Sequence, residues 1–148
     1  MNRLKFAKAY LPGPMDYAKD RGVGWRERIT PFLRSLEIGI LSPTDKASFV
    51  GHEDVDHIEE RKSIIECIKS GNVLTDTLYD RYHEIMKEVA SIDLRMVDTS
   101  DFSIMYINTE IYTCGTFHEN EMSILQRKPV VVMCEQGKVN TPPWLFAH

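Results

Sequence analysis

The sequence predicts an α/β fold, a parallel sheet with helices on both of its faces. Three observations carry that expectation. Segments with strand character alternate with segments of helical spacing along the chain. The run "KPVVVMCE" (128–135) holds three consecutive valines and is the clearest strand in the chain. No repeat, low-complexity tract or Pro/Gly/Ser-rich linker divides residues 1–148, so one domain is expected.

The elements follow in order. "KFAKAYL" (5–11) alternates apolar and polar before turning apolar, and is the first strand. "PGPMDYAKDRGVG" (12–24) is a loop by its prolines and glycines. Trp25, Ile29, Phe32, Leu33 and Leu36 fall at helical spacing. Thr30-Pro31 fits a cap followed by a first helical position, so a kink or restart is expected there. "EIGILSP" (37–43) is the second strand, and 44–57 reads as polar and irregular. Ile58, Ile64, Ile65 and Ile68 mark a helix stopped at Gly71. Leu74, Leu78, Tyr82, Ile85, Met86 and Val89 mark another. "DFSIMYIN" (101–108) is a buried strand, "FHENEMSILQR" (117–127) a helix, and 128–135 the last strand.

Composition narrows the function. Of the residues, 43% are hydrophobic and 27% charged, values typical of a water-soluble globular chain. A formal charge of −4 argues against a nucleic-acid polymer as partner. No apolar run reaches the length of a membrane span. The opening "MNRLKFAKAYL" is too charged for a secretory signal. Cys67, Cys114 and Cys134 are odd in number and form no CxxC, which fits free thiols and a cytoplasmic setting.

In a parallel sheet, ligands sit beyond the carboxyl ends of the strands. That rule singles out the loops 12–24, 42–57 and 108–116. The first offers Gly13, Gly22 and Gly24 for close backbone approach, and Trp25 and Arg26 for stacking or anion pairing. It contains neither GKS/GKT nor GxGxxG, and a glycine-tolerant turn beside a core Trp explains it equally well. "HEDVDHIEE" (52–60) groups His52, Asp54, Asp56 and His57. No standard zinc spacing fits them, and a solvated acidic loop with Asp56 at a helix start is the better account. Asp93 and Asp101 flank "LRMVDTS" at positions suited to caps or turns. In "GTFHE" (115–119), Thr116 and Glu119 have the T-x-x-E spacing of a capping box.

Taken together, these segments resemble the nucleoside 2-deoxyribosyltransferase family and its nucleotide N-glycosidase relatives. "AYLPGPM" (9–15) is similar to the family's Y-L-A-G-P-M, with Pro12 in place of alanine. "DLRMVDTSDFSIMYI" (93–107) is similar to its aspartate, helical turn and aspartate-led strand. "GTFHE" resembles the turn that carries the nucleophilic glutamate, and "RKPVVVM" (127–133) the strand that follows. The match spans most of residues 4–134. Two departures stand out. Glu119-Asn120-Glu121 replaces the family's E-L-G, and the 44–80 segment is longer and more polar.

The resemblance implies a single-domain Rossmann-like or flavodoxin-like sheet, with no metal or organic cofactor. It implies Glu119 as nucleophile toward C1′ and Asp93 as acid and then base at the leaving and incoming bases. Tyr10, Gly13, Pro14 and Met15 would floor the pocket, with Asp101, Gly115 and Thr116 at its edge. Arg21 and Arg26 would contact a phosphate if the substrate were a nucleotide. A nucleoside or nucleotide and a free base are the expected small-molecule partners. The apolar tail "NTPPWLFAH" points to burial of Trp144, Leu145 and Phe146 in a homodimer or larger assembly. The rival readings are a deoxynucleoside 5′-monophosphate N-glycosidase, a non-catalytic nucleotide-binding module, and a metal hydrolase built on His52, Asp54 and His57.

Overall fold

Four parallel strands form one sheet in the order β2-β1-β3-β4 in the computed structural model, which describes residues 2–51, 55–71 and 75–147. They are β1 (Lys8–Tyr10), β2 (Gly39–Leu41), β3 (Phe102–Ile107) and β4 (Val130–Cys134). The helices are α1 (Val23–Ser35), α2 (Lys46–Val50), α3 (Ile58–Lys69), α4 (Asp76–Thr99) and α5 (Gly115–Leu125).

Alternation along β1 divides the core. Ala9 and Leu11 point to one face and pack with Trp25 and Leu33 of α1, Ile38 and Ile104. Tyr10 points to the other face and packs with Val55 and with Ile92, Met96 and Val97 of α4. Each such buried aliphatic side chain contributes roughly 1.5–3 kcal/mol. Helix α5 is fastened to β3 by a polar chain at its centre. Ser103 and Ser123 share a buried hydrogen bond of 2.9 Å, and the Ser123 hydroxyl donates to the Glu119 carbonyl at 3.1 Å. Small side chains here let the helix lie close to the sheet, and they fix the turn that carries Glu119.

The strand order places a reversal between β1 and β3. From β1 the chain crosses to β2 on one side; from β2 it returns to β3 on the other. The loops leaving β1 and β3 therefore diverge and open a crevice at the carboxyl edge.

Several expectations are corrected. β1 is shorter than 5–11, because Phe6 turns the chain at a φ of 70°. Pro31 does not restart α1, which runs through it. The lost bond would have gone to the carbonyl of Glu27, on the exposed side of the helix, so its loss is tolerated. Thr30 caps nothing; its hydroxyl donates to the Arg26 carbonyl at 2.7 Å. The segment read as irregular contains α2, five residues long and too short to show a period. The helix read from Leu78 to Val89 runs on to Thr99 and carries Asp93 on its buried side. Leu74, assigned to the same helix, lies outside the described residues. Trp144 and Phe146 are 70% and 61% exposed in the single chain, so the expected burial of the tail does not occur within it.

Candidate active site

A cleft of about 340 Å³ opens at the carboxyl ends of β1 and β3. Gly13 and Met15 enter it from the loop after β1, and Lys46 from α2. Asp93 enters from α4, and Gly115, Thr116 and Glu119 from α5. Tyr17 and Tyr112 meet edge to face at its rim, ring centres 5.6 Å apart, and join the two loops across the crevice.

Glu119 and Asp93 are the two carboxyls of the cleft interior. Glu119 is pushed up to about 8, first by burial and then by the negative charge of Asp93. Tyr10, Lys46 and Arg26 pull it back in part. Asp93 is raised to about 6 by burial, an effect that Lys46 opposes. The physical direction is firm: two carboxyls in a poorly hydrated cleft repel each other, so near neutral pH the pair holds one proton. The Tyr10 phenol is wholly buried beneath Glu119 and raised well above its ordinary value, by burial first and by Glu119 next. It stays a neutral hydrogen-bond donor.

A chain of ion pairs backs Asp93. Lys46 Nζ lies 3.0 Å from Asp93 Oδ1 and 3.3 Å from Asp56 Oδ1. Asp56 also binds Arg61 at 3.0 Å and Arg21 at 2.6 Å, and Arg61 continues to Asp16. Charges this buried persist only when mutually paired. Sequence reasoning missed Lys46 and Arg61 and took Asp56 for a helix-start residue. The only signal was topological, since the loop after β2 was expected at the ligand edge.

Other expected site residues fall elsewhere. Pro14 is fully buried beneath the loop, away from the cleft lining. Trp25 stacks on Tyr106 at 5.0 Å within the core, where a Cβ on Gly13 would come within 2.8 Å of its ring. Arg26 is buried, and its guanidinium donates to the carbonyls of Leu11, Gly13 and Gly22. It clamps the loop instead of reaching the cleft. Burial lowers it to about 10, still cationic at neutral pH. The amides of Gly22 and Gly24 are given to the Asp20 carboxylate at 2.9 and 2.8 Å, not to an external anion. Asp101 sits at the opposite edge of the sheet, accepting from the Lys8 amide at 2.7 Å before β3 begins.

The capping-box expectation is also corrected. α5 is capped by Cys114, one residue ahead of Gly115, so Thr116 lies inside the helix. Its hydroxyl meets that of Thr113 at 2.6 Å. Glu119 is therefore not tied to a cap amide and faces the cleft. Gly115 has open space where a Cβ would stand. Asn120 turns away from the cleft and lines a second cavity, beside Ile124 and Leu145. Of the residues grouped as a metal candidate, His52 and Asp54 lie outside the described residues. His57 Nε2 lies 3.0 Å from Glu88 Oε2, and Asp56 is held by cations. Among the described residues no group of His, Cys, Asp and Glu is placed to hold a metal ion.

No protein-family model and no curated protein matches the sequence. Solved structures do. A 2-deoxyribosyltransferase from the psychrotolerant bacterium Bacillus psychrosaccharolyticus superposes with a TM-score of 0.55 at 20% identity, over 89% of this chain and 75% of that one. A 2-deoxyribosyltransferase from Leishmania mexicana gives 0.51 at 14% identity, over 86% of this chain and 64% of that one. The chain spans just under two thirds of the Leishmania protein's length. The four-stranded parallel sheet and its flanking helices thus have the fold of the 2-deoxyribosyltransferases.

Proposed function

We propose that the protein cleaves the N-glycosidic bond of 2′-deoxynucleosides through a deoxyribosyl-Glu119 intermediate and passes the sugar to another base. The observation that carries this reading is the pairing of Glu119 with Asp93 across one cleft, sharing one proton near neutrality. Breaking the bond builds positive charge at C1′. An ionised carboxylate stabilises that charge and then bonds to the carbon. The departing base takes a proton, and a carboxyl raised by burial can still supply one near neutral pH.

The roles require Asp93 to carry the proton and Glu119 to be ionised. In the structure the balance is the reverse, because Lys46 stands beside Asp93. Substrate changes that balance: developing charge at C1′ favours an ionised Glu119, and a basic ring nitrogen favours a protonated Asp93. The buried Tyr10 hydroxyl has no hydrogen-bond partner among the described residues and is available to steady the Glu119 anion.

The cation inventory supports a nucleoside over a nucleotide. Arg21 is held by Asp56 and Arg26 by backbone carbonyls, while Lys46 and Arg61, which line the cleft, are paired with Asp93, Asp56 and Asp16, so none of the four is poised for a phosphate. The exposed tail side chains Trp144 and Phe146 support a homo-oligomer, and light scattering at micromolar concentration tests it. No helix among the described residues is long and apolar enough to cross a membrane.

The enzymatic test is incubation with a deoxynucleoside and a second free base, followed by chromatography. Base exchange is expected, and Asp93→Asn should slow it by roughly 10²–10⁴-fold. Saturable nucleotide binding with no turnover on any deoxynucleoside or its monophosphate would replace the reading with a binding module. Release of base from monophosphates alone would replace it with a nucleotide N-glycosidase.

A further inference from the structure

Lys46 belongs to no motif in the sequence, yet its side chain is only 2% exposed. Its ammonium has three donors and three oxygens around it. They are the Pro43 carbonyl at 2.7 Å, Asp93 Oδ1 at 3.0 Å and Asp56 Oδ1 at 3.3 Å. The two carboxylates it bridges are not equivalent. Asp56 is also bound by Arg21 and Arg61, so it keeps two cationic partners whichever way Lys46 leans. Asp93 faces the cleft and Glu119.

We propose that Lys46 is a positioning residue that decides whether Asp93 or Glu119 holds the proton the two share. The proposal rests on the reading of this pair as acid and nucleophile. With Lys46 against Asp93, Asp93 is the anion and Glu119 carries the proton. When Lys46 leans to Asp56, Asp93 can take that proton and Glu119 is freed as the nucleophile. One proton moves between two carboxyls, and the charge of the cleft does not change. The groups that act on Asp93 are Lys46 from α2, Asp56 ahead of α3, Arg61 from α3, Glu119 from α5, Tyr10 from β1 and Arg26 from α1. Of these, only Lys46 contacts Asp93 and a second carboxylate able to receive it.

The test is a carbon-13 NMR titration of the side-chain carboxyls, assigned with Asp93→Asn and Glu119→Gln. In Lys46→Met the Asp93 midpoint should rise by about one pH unit or more, and Asp93 should become the last of the pair to ionise. Asp56→Asn removes a negative neighbour and leaves Lys46 wholly to Asp93, so there the Asp93 midpoint should fall. Lys46→Arg should stay nearer the wild type, and the alkaline limb of the kcat/KM profile, where the acid Asp93 loses its proton, should move with the Asp93 midpoint. An unchanged Asp93 midpoint in Lys46→Met, or shifts of the same sign in Lys46→Met and Asp56→Asn, would overturn the proposal. If Lys46→Met does not fold, Asp56→Asn decides: a midpoint that holds or rises there also overturns it. The titration needs no turnover. Opposite shifts in a protein that exchanges no base would uphold Lys46 and remove the functional reading; exchange without shifts would do the reverse.

Discussion

Arg26 and Lys46 are both 3% exposed, and both sit at the carboxyl edge of the sheet. Their partners differ. Arg26 gives its donors to three backbone carbonyls, groups that cannot titrate. Lys46 forms ion pairs with two carboxylates, groups that can. The first arrangement fixes the path of the loop leaving β1. The second ties a buried charge to the protonation of the cleft. A buried cation is thus a structural part or a chemical one according to what it binds, and burial alone does not distinguish the two.

The largest loss expected from breaking this contrast is at Arg26. Arg26→Met leaves the carbonyls of Leu11, Gly13 and Gly22 without their donor, and should cost about 3–5 kcal/mol in urea unfolding. Arg26→Lys should not restore it, because one ammonium cannot reproduce the planar fork. A loss below about 1 kcal/mol would show that water satisfies these carbonyls and that the clamp is not structural.

At the titrating end the expected sign depends on pH. Glu119 is raised in the folded state, so the stability it contributes is full below its unfolded value near pH 4. That contribution is lost as pH rises through about 8. Glu119→Gln removes a carboxylate that is costly to ionise. The variant should match the wild type near pH 4 and exceed it by about 5 kcal/mol at pH 9. Equal stabilities at pH 9 would mean that Glu119 ionises without penalty. The smallest effect sharpens the structural side: Gly13→Ala sets a methyl 2.8 Å from the Trp25 ring and should cost about 1–2 kcal/mol in the same unfolding assay.

The contrast also marks how far the sequence could be read. The valines of β4, the alternation in β1 and the apolar β3 are local patterns, and each strand lies where its pattern stands. The rule that ligands meet the carboxyl edge singled out the loops after β1, β2 and β3, and it was the family resemblance that paired Glu119 with Asp93. What stayed hidden was long-range. Lys46 and Arg61 are charged residues in polar stretches, and nothing local shows that α2 and α3 bury them against Asp93, Asp56 and Asp16. Trp25 and Arg26 misled for the matching reason: their chemistry suits a ligand, but the loop after β1 folds back and occupies them. Thr116 and Glu119 had the spacing of a capping box, which helix α5 leaves unused by starting earlier.

The most direct test of the central claim is to find which carboxyl carries the sugar. The protein is incubated with a 2′-deoxynucleoside, quenched in acid, and measured by intact mass and peptide mapping. The account predicts a mass increase of one deoxyribosyl group on the peptide containing Glu119, absent in Glu119→Gln. Base exchange with the adduct on Asp93, or exchange that persists undiminished in Glu119→Gln, would contradict it.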